Sequence, residues 1–103
     1  MELESFGERL AKLRLNRGVS AREMSLSIGQ SANYINKIEN RKAYPSMAMF
    51  FYICEYLGIS QRDFFDEKID DPVQVTELLQ NLKKLDEKTL SYFNGILNEM
   101  LKE

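Results

Sequence analysis

The amino-acid sequence predicts an all-α protein, with a five-helix N-terminal domain followed by a C-terminal two-helix hairpin. Three observations predict this class. Apolar residues recur at spacings of three and four along most of the chain, and no segment shows the clear alternation of a β-strand. Glycine and serine stand where these apolar stretches end and begin, as helix caps do. Hydrophobic residues make up 44% of the chain, which is enough for a core.

Helix one is predicted from an apolar stripe near the N-terminus. Phe6, Leu10 and Leu13 fall on one helical face. The stripe ends near Gly18, which can adopt the left-handed conformation found at helix C-termini. We therefore expect the first helix to end at about Arg17.

Helices two and three are predicted to be joined by a tight turn. Ser20 and Glu23 have the spacing of a capping box, which predicts the start of helix two, and Gly29 ends that helix. Ser31 is the expected N-cap of helix three. The apolar residues of helix three, which we expect to face inward, are Ile35 and Ile38.

Helices four and five follow a polar loop. Pro45-Ser46 predicts the start of helix four, which is apolar on nearly all sides as far as Leu57 and is therefore expected to be buried. Gly58 ends this helix, and Ser60 is the expected cap of a short fifth helix.

The acidic, turn-prone segment from Asp66 to Pro72 predicts a domain boundary, so that residues 1–66 form one domain and residues 67–103 a second. Two amphipathic helices are expected beyond it, at about Val73–Lys84 and Glu87–Leu101. Their apolar faces must pack on the first domain or on another chain. We interpret the face of the last helix as a dimer interface, with packing on the same chain as the alternative. This face consists of Leu90, Phe93, Leu97 and Met100.

The composition excludes several classes of protein. The chain has one cysteine and no histidine, which excludes an internal disulfide and a Cys/His zinc site. The longest apolar run, Met47 to Cys54, is too short to cross a bilayer, so no membrane partner is expected. No nucleophile-and-base arrangement or Gly-rich phosphate loop is visible, so neither an enzymatic activity nor a cofactor is expected. These features fit a cytoplasmic protein.

Charge is unevenly distributed along the chain, although the overall net charge is only −2. Between Arg9 and Lys42 there are eight cations and two acids, whereas from Asp66 onward there are five lysines and nine acids. Because phosphate binding depends on the local field of one face rather than on the total charge, the basic segment favours a nucleic-acid partner.

Residues from about Phe6 to Phe65 resemble the helix-turn-helix domain of the lambda-repressor-like, or XRE, family of bacterial and phage regulators. The resemblance lies in the ordered series LAKLRLNRGVS, Gly29, IxxIEN at Ile35 to Asn40, Pro45-Ser46-Met47 and LGISQRDFF. It implies a five-helix domain that places helix three in the major groove of DNA. Three positions depart from the family pattern: Ala21 replaces a frequent glutamine, Ser25 replaces the usual alanine, and Arg41-Lys42 replaces a Gly-rich loop.

The resemblance implies that exposed side chains in the first turns of helix three meet the base edges. Amides can pair with adenine N6 and N7, a lysine can donate to guanine, and an alanine can touch a thymine methyl group. These residue types predict an A·T-leaning half-site. The alternative is that Asn36 and Gln30 only cap and solvate the helix. The expected base-reading residues are Gln30, Ser31, Ala32, Asn33, Asn36 and Lys37.

Basic and hydroxyl-bearing residues bracket helix three and are expected to contact phosphates, with an ordinary solvated surface as the alternative. The resemblance further implies that an ion pair between Arg14 and Glu39 fixes helix three against helix one. The alternative there is two independent surface charges. The expected phosphate-contacting residues are Arg22, Tyr34, Arg41, Lys42 and Tyr44.

These features predict a sequence-specific transcriptional regulator, a repressor, that binds an inverted-repeat operator in double-stranded DNA as a homodimer. The alternative is a protein-interaction or antitoxin-like module that acts mainly through its C-terminal hairpin. The acidic C-terminal surface could also bind an antagonist protein. The basic segment favours the regulator, because an interaction module has no need of it.

Overall fold

The computed structural model describes residues 1–102, so Glu103, the last residue of the predicted 67–103 segment, lies outside the described residues. Over this range the backbone forms seven helices and no strand, which confirms the all-α prediction. The chain divides into two compact units, the first of which is Met1–Val73. The helices are α1 Leu3–Arg17, α2 Ala21–Ser27, α3 Tyr34–Glu39, α4 Met47–Leu57, α5 Gln61–Phe65, α6 Pro72–Leu82 and α7 Glu87–Leu101.

Serine side chains cap the start of three helices, as predicted for Ser20 and Ser60. The hydroxyl of Ser20 accepts the backbone N–H of Glu23 at 3.0 Å, and Ser46 and Ser60 cap α4 and α5 in the same way. Each cap satisfies one of the backbone donors that a helix N-terminus leaves free. The glycines predicted to end α1 and α4 are both left-handed, Gly18 with a φ of 73° and Gly58 with a φ of 72°.

The predicted N-cap of helix three is wrong. The hydroxyl of Ser31 caps no helix, and α3 begins only at Tyr34, whose N–H bonds to the carbonyl of Ser31 at 3.0 Å. The physical reason is that α2 already supplies an acceptor for this helix, because the hydroxyl of Ser25 accepts the N–H of Ile35 at 2.9 Å. The approach to α3 is therefore a turn, and the helix itself has six residues.

The core of the first unit is formed by apolar side chains from all five of its complete helices. Each is at most 5% exposed, and burial of a large apolar side chain contributes about 1.5–3 kcal/mol to folding. Within this core α3 packs against both α1 and α2. The core residues are Phe6, Leu10, Leu13, Met24, Ile35, Ile38, Phe50, Ile53, Cys54, Leu57 and Phe64.

Gly7 allows the backbones of α1 and α3 to approach closely. A Cβ atom at this position would lie 2.8 Å from the carbonyl oxygen of Ile38 and 2.9 Å from that of Glu39. Real Cβ atoms do not approach carbonyl oxygens so closely, so any other residue would push α3 away from α1. This role of Gly7 is not among the predictions from the sequence, although a glycine inside an amphipathic helix is a signal of close approach.

Arg9 is buried with the core, although it is counted among the cations of the basic segment. Its side chain is 4% exposed and donates hydrogen bonds to backbone carbonyls at the end of α5 and in the following loop. The loop is thereby fixed to α1, and the first unit extends beyond the predicted boundary at residue 66 to Val73. The acceptors are the carbonyl oxygens of Phe64 at 2.7 Å, Asp63 at 2.8 Å, Asp66 at 2.9 Å and Ile69 at 3.0 Å.

The second unit contains most of α6 and all of α7, which are connected through residues 83–86. The carboxylate of Asp86 caps α7 by accepting the N–H of Thr89 at 2.8 Å. No described residue of α7 is buried. Of the residues predicted to form a dimer interface, Leu90 is half-buried, and Phe93, Leu97 and Met100 are exposed.

Candidate nucleic-acid interface

The α2–turn–α3 segment is closed by backbone hydrogen bonds around Gly29. This residue has a φ of 77°, and its N–H bonds to the carbonyl of Leu26 at 3.0 Å. The N–H of Gln30 then bonds to the carbonyl of Ser25 at 2.9 Å. Glycine adopts the left-handed conformation without steric cost, so the chain reverses here and brings α3 across α2.

Ser25 connects the two helices of this segment. Its hydroxyl, with no exposed surface, donates to the carbonyl of Ala21 at 2.7 Å and accepts the N–H of Ile35 at 2.9 Å. It therefore acts as a cap for α3 supplied by a neighbouring helix. Neither hydrogen bond of Ser25 is predicted from the sequence. The available signal was a hydroxyl at a position where the resembled family usually has alanine.

The predicted base-reading residues lie together on the turn before α3 and on its outer face. Ser31, Asn33, Asn36 and Lys37 are exposed, whereas Gln30 and Ala32 are half-buried. On the opposite side of the helix, the buried isoleucines predicted to face inward hold it against the core. Residues 30–33 precede the first residue of α3, so this part of the surface is a turn rather than helix.

The side-chain amides of this surface differ in whether they contact other residues of the protein. The Gln30 side-chain nitrogen lies 3.4 Å from the sulfur of Met49. Among the described residues, the side chains of Asn33, Asn36 and Lys37 have no hydrogen-bond or ion-pair partner. Their donors and acceptors are thus free to bind another molecule.

Some of the predicted phosphate-contacting side chains have no partner within the protein, and others are already hydrogen-bonded or ion-paired. Arg22 and Lys42 are exposed and form no ion pair within residues 1–102. Tyr34 is half-buried, and burial raises the pKa of its phenol, which stays a neutral donor. The hydroxyl of Tyr44 instead donates to the carbonyl of Met1 at 3.0 Å.

Arg41 is also paired, with two acidic side chains of α1. It follows α3 with a left-handed φ of 67°, and its guanidinium contacts the carboxylates of Glu4 at 3.2 Å and Glu8 at 3.1 Å. This conformation costs a non-glycine residue about 1 kcal/mol. The guanidinium of Arg41 is therefore paired with acids of α1, although its side chain is 50% exposed.

The structure brings Arg14 and Glu39 together. Nε of Arg14 lies 2.7 Å from one carboxylate oxygen of Glu39, and a terminal nitrogen lies 2.9 Å from the other. A further guanidinium nitrogen donates to the carbonyl of Val19 at 2.8 Å. The side chains are 14% and 10% exposed, and the hydrogen bond with Glu39 raises the pKa of Arg14 above its ordinary value. This two-bond contact joins the end of α3 to α1.

The basic segment consequently presents less free charge than its sequence suggests. Besides Arg9, Arg14 and Arg41, the ammonium group of Lys12 is paired with Asp70. Arg17 lies over the ring of Tyr56, 5.6 Å from its centroid. Within the basic segment from Arg9 to Lys42, the cations that remain exposed without an ion pair or ring contact are Arg22, Lys37 and Lys42.

Three further observations bear on other functions. Cys54 is fully buried, and burial raises its pKa to about 11, so its thiol stays protonated. Among the described residues, no cluster of three or more acidic, cysteine or histidine side chains is arranged to hold a metal ion. Within the same residues, no helix has the length and hydropathy needed to span a membrane.

Comparison with known proteins assigns the segment in which the candidate interface lies to a domain family. A protein-family profile described as a helix-turn-helix domain matches residues 7–68, which is more than half of the chain and includes α2, the turn and α3. No curated protein and no solved structure matches the chain. The matched region agrees with the resemblance to lambda-repressor-like domains drawn from the sequence. On this evidence the chain belongs to the helix-turn-helix domain family.

Proposed function

We propose that this chain is a sequence-specific transcriptional repressor that reads double-stranded DNA through α3 and the turn before it. The observation that carries the proposal is the exposure of Asn33, Asn36 and Lys37, which have no partner among the described residues. Buried isoleucines hold this surface from behind. A polar surface on a helix that is held against a core in this way can enter the major groove, which admits an α-helix. As part of this proposal, the domain catalyses no reaction and acts in the cytoplasm.

The chemistry of the surface supports readout of A·T pairs. Asparagine and glutamine amides can bond simultaneously to N6 and N7 of adenine, and Ala32 can touch a thymine methyl group. Among these residues only Lys37 is suited to donate hydrogen bonds to guanine, and it lacks the bidentate geometry of arginine. We therefore expect half-sites rich in A·T pairs.

Phosphate contacts would position the domain rather than specify sequence. Within the basic segment, Arg22 precedes α3 and Lys42 follows it, and both are exposed without an ion pair or ring contact. Each phosphate neutralised by a cation contributes about −0.9 to the slope of log affinity against log salt concentration. With these two phosphate contacts, we expect a slope of about −2 for each protomer, which is shallower than the number of cations in the basic segment suggests.

The exposed apolar face of α7 supports a homodimer. Phe93 and Leu97 are each 46% exposed and Met100 is 74% exposed. Such a face is stabilised when a second copy covers it, and a two-fold dimer would present two reading surfaces about 34 Å apart, one turn of DNA. A dimer seated on an inverted repeat would repress by blocking access of other proteins to the site.

The test is selection of bound sequences from a random duplex pool by the full chain, together with its molar mass in solution by light scattering. We expect enrichment of an inverted repeat with A·T-rich half-sites and the mass of a dimer. A folded chain that enriches no sequence would overturn the proposal. Enrichment of a single half-site by a monomer would retain DNA readout and reject the dimer.

A second candidate function is a protein-interaction or antitoxin-like module that acts through α6 and α7. The observation that favours it is the pairing of several basic side chains with acids or carbonyls, which leaves few free cations for DNA. An antagonist protein could bind the same helices of a DNA-binding regulator. The pool selection distinguishes the two functions, because an interaction module binds no duplex preferentially.

A further inference from the structure

Arg41 is held between two acids of α1. Its guanidinium nitrogens lie 3.2 Å from the carboxylate of Glu4 and 3.1 Å from that of Glu8. The two glutamates are four residues apart in one helix and therefore share a face. One cation thus meets two anions, and the group as a whole is negatively charged.

The backbone of Arg41 is fixed even though its side chain is half exposed. Its N–H bonds to the carbonyl of Ile38 at 3.0 Å, and the N–H of Lys42 bonds to the carbonyl of Lys37 at 3.1 Å. These are the two hydrogen bonds of a Schellman motif, which closes the C-terminus of α3. The side chain starts from a fixed point beside the proposed reading helix, and only its outer end can change partners.

We infer that Glu4 and Glu8 lower the affinity of this domain for DNA by holding Arg41 away from the phosphates. The inference rests on the proposed DNA-binding function. A phosphate that binds Arg41 must displace two carboxylates, which then stand unpaired near the nucleic-acid backbone and repel it.

This restraint acts on every DNA sequence alike, because phosphates carry no sequence information. Contacts from Asn33 and Asn36 to base edges are made only at the correct site. The two glutamates therefore limit the occupancy of unrelated DNA. They do not change the ratio of the affinity for the specific site to that for unrelated DNA, which depends on the base contacts of the reading surface. Because the three side chains are about half exposed or more, salt screens the restraint.

The experiment compares wild type with a Glu4→Gln/Glu8→Gln double variant, on the duplex selected from the pool and on an unrelated duplex of equal length. Affinity is measured over a series of salt concentrations. For one added phosphate contact we expect a rise of about three- to tenfold at low salt on both duplexes, and a salt slope steeper by about 0.9. Addition of Arg41→Ala to the double variant should abolish the gain.

The matched control is Glu2→Gln/Glu67→Gln, which removes the same charge from exposed acids that form no ion pair in the described part of the chain. An equal rise in this control would show a general charge effect and overturn the inference, as would a gain that survives Arg41→Ala. If the wild type binds its selected duplex and the double variant binds no more tightly, the inference is overturned but the proposed function is not. A wild type that binds no duplex overturns the proposed function and the inference with it.

Discussion

The hydroxyl of Ser25 lies 2.9 Å from the backbone nitrogen of Ile35, so α2 provides the acceptor that α3 lacks at its own N-terminus. The same hydroxyl donates to the carbonyl of Ala21. Because α3 has only six residues, it depends on such contacts with its neighbours more than on its own hydrogen bonds.

Removal of this hydroxyl should destabilise the fold. Ser25→Ala leaves the buried N–H of Ile35 without a partner, and we expect the free energy of unfolding to fall by about 1–2 kcal/mol. Urea denaturation followed by circular dichroism measures the change. Ser27→Ala, at an exposed position of the same helix, is the control and should be nearly neutral. Equal losses in the two variants would contradict the bridging role of Ser25.

The contact between Arg14 and Glu39 should also contribute to stability. Glu39→Gln removes the charge that faces a guanidinium only 14% exposed, and we expect a loss on the order of 2 kcal/mol. Asp70→Asn, which breaks the exposed pair with Lys12, serves as the comparison and should cost much less. The measurement is the denaturant midpoint of each variant, and the account is wrong if the exposed pair is the costlier one to break.

Two glycine substitutions should have opposite effects on stability. Gly7→Ala places a Cβ atom 2.8 Å from the carbonyl oxygen of Ile38 and should lower the free energy of unfolding by about 1–3 kcal/mol. Gly95→Ala, where a Cβ atom meets nothing within 4 Å, should stabilise α7 by up to about 1 kcal/mol. Thermal unfolding of both variants checks the signs. A neutral Gly7→Ala would show that α1 and α3 have room to separate.

Substitution on the apolar face of α7 should dissociate the proposed dimer. Leu97→Glu places a charge in the face that we propose a second copy covers, so we expect a monomer by light scattering. Tyr92→Glu, exposed on roughly the opposite side of the helix, is the control and should remain a dimer. A dimer that survives Leu97→Glu and is lost with Tyr92→Glu would place the interface on the other side of α7.

The features predicted correctly from the sequence depend on neighbouring residues. The cap of Ser20 on Glu23 spans three positions, and the left-handed glycines directly follow the helices that they end. The exposure of Asn36 and Lys37 opposite the buried isoleucines follows from helical periodicity in the same way.

The features that sequence reasoning missed depend on distant parts of the chain. Arg9 bonds to the carbonyl of Phe64, 55 residues away, so nothing in its neighbourhood distinguishes it from a surface cation. Ser31 failed as a cap because Ser25 of the preceding helix supplies the acceptor. Gly7 has its role only because the end of α3 lies against it.

The most direct test of the central claim measures which base pairs depend on Asn33. Binding of wild type, Asn33→Ala and the control Asn81→Ala is compared on the selected operator and on a panel of duplexes with one base pair replaced. We predict that wild type and Asn81→Ala lose about 1–3 kcal/mol when one particular A·T pair is replaced, and that Asn33→Ala no longer distinguishes that pair. An Asn33→Ala variant with the base preferences of wild type at every position would contradict the claim that this surface reads DNA.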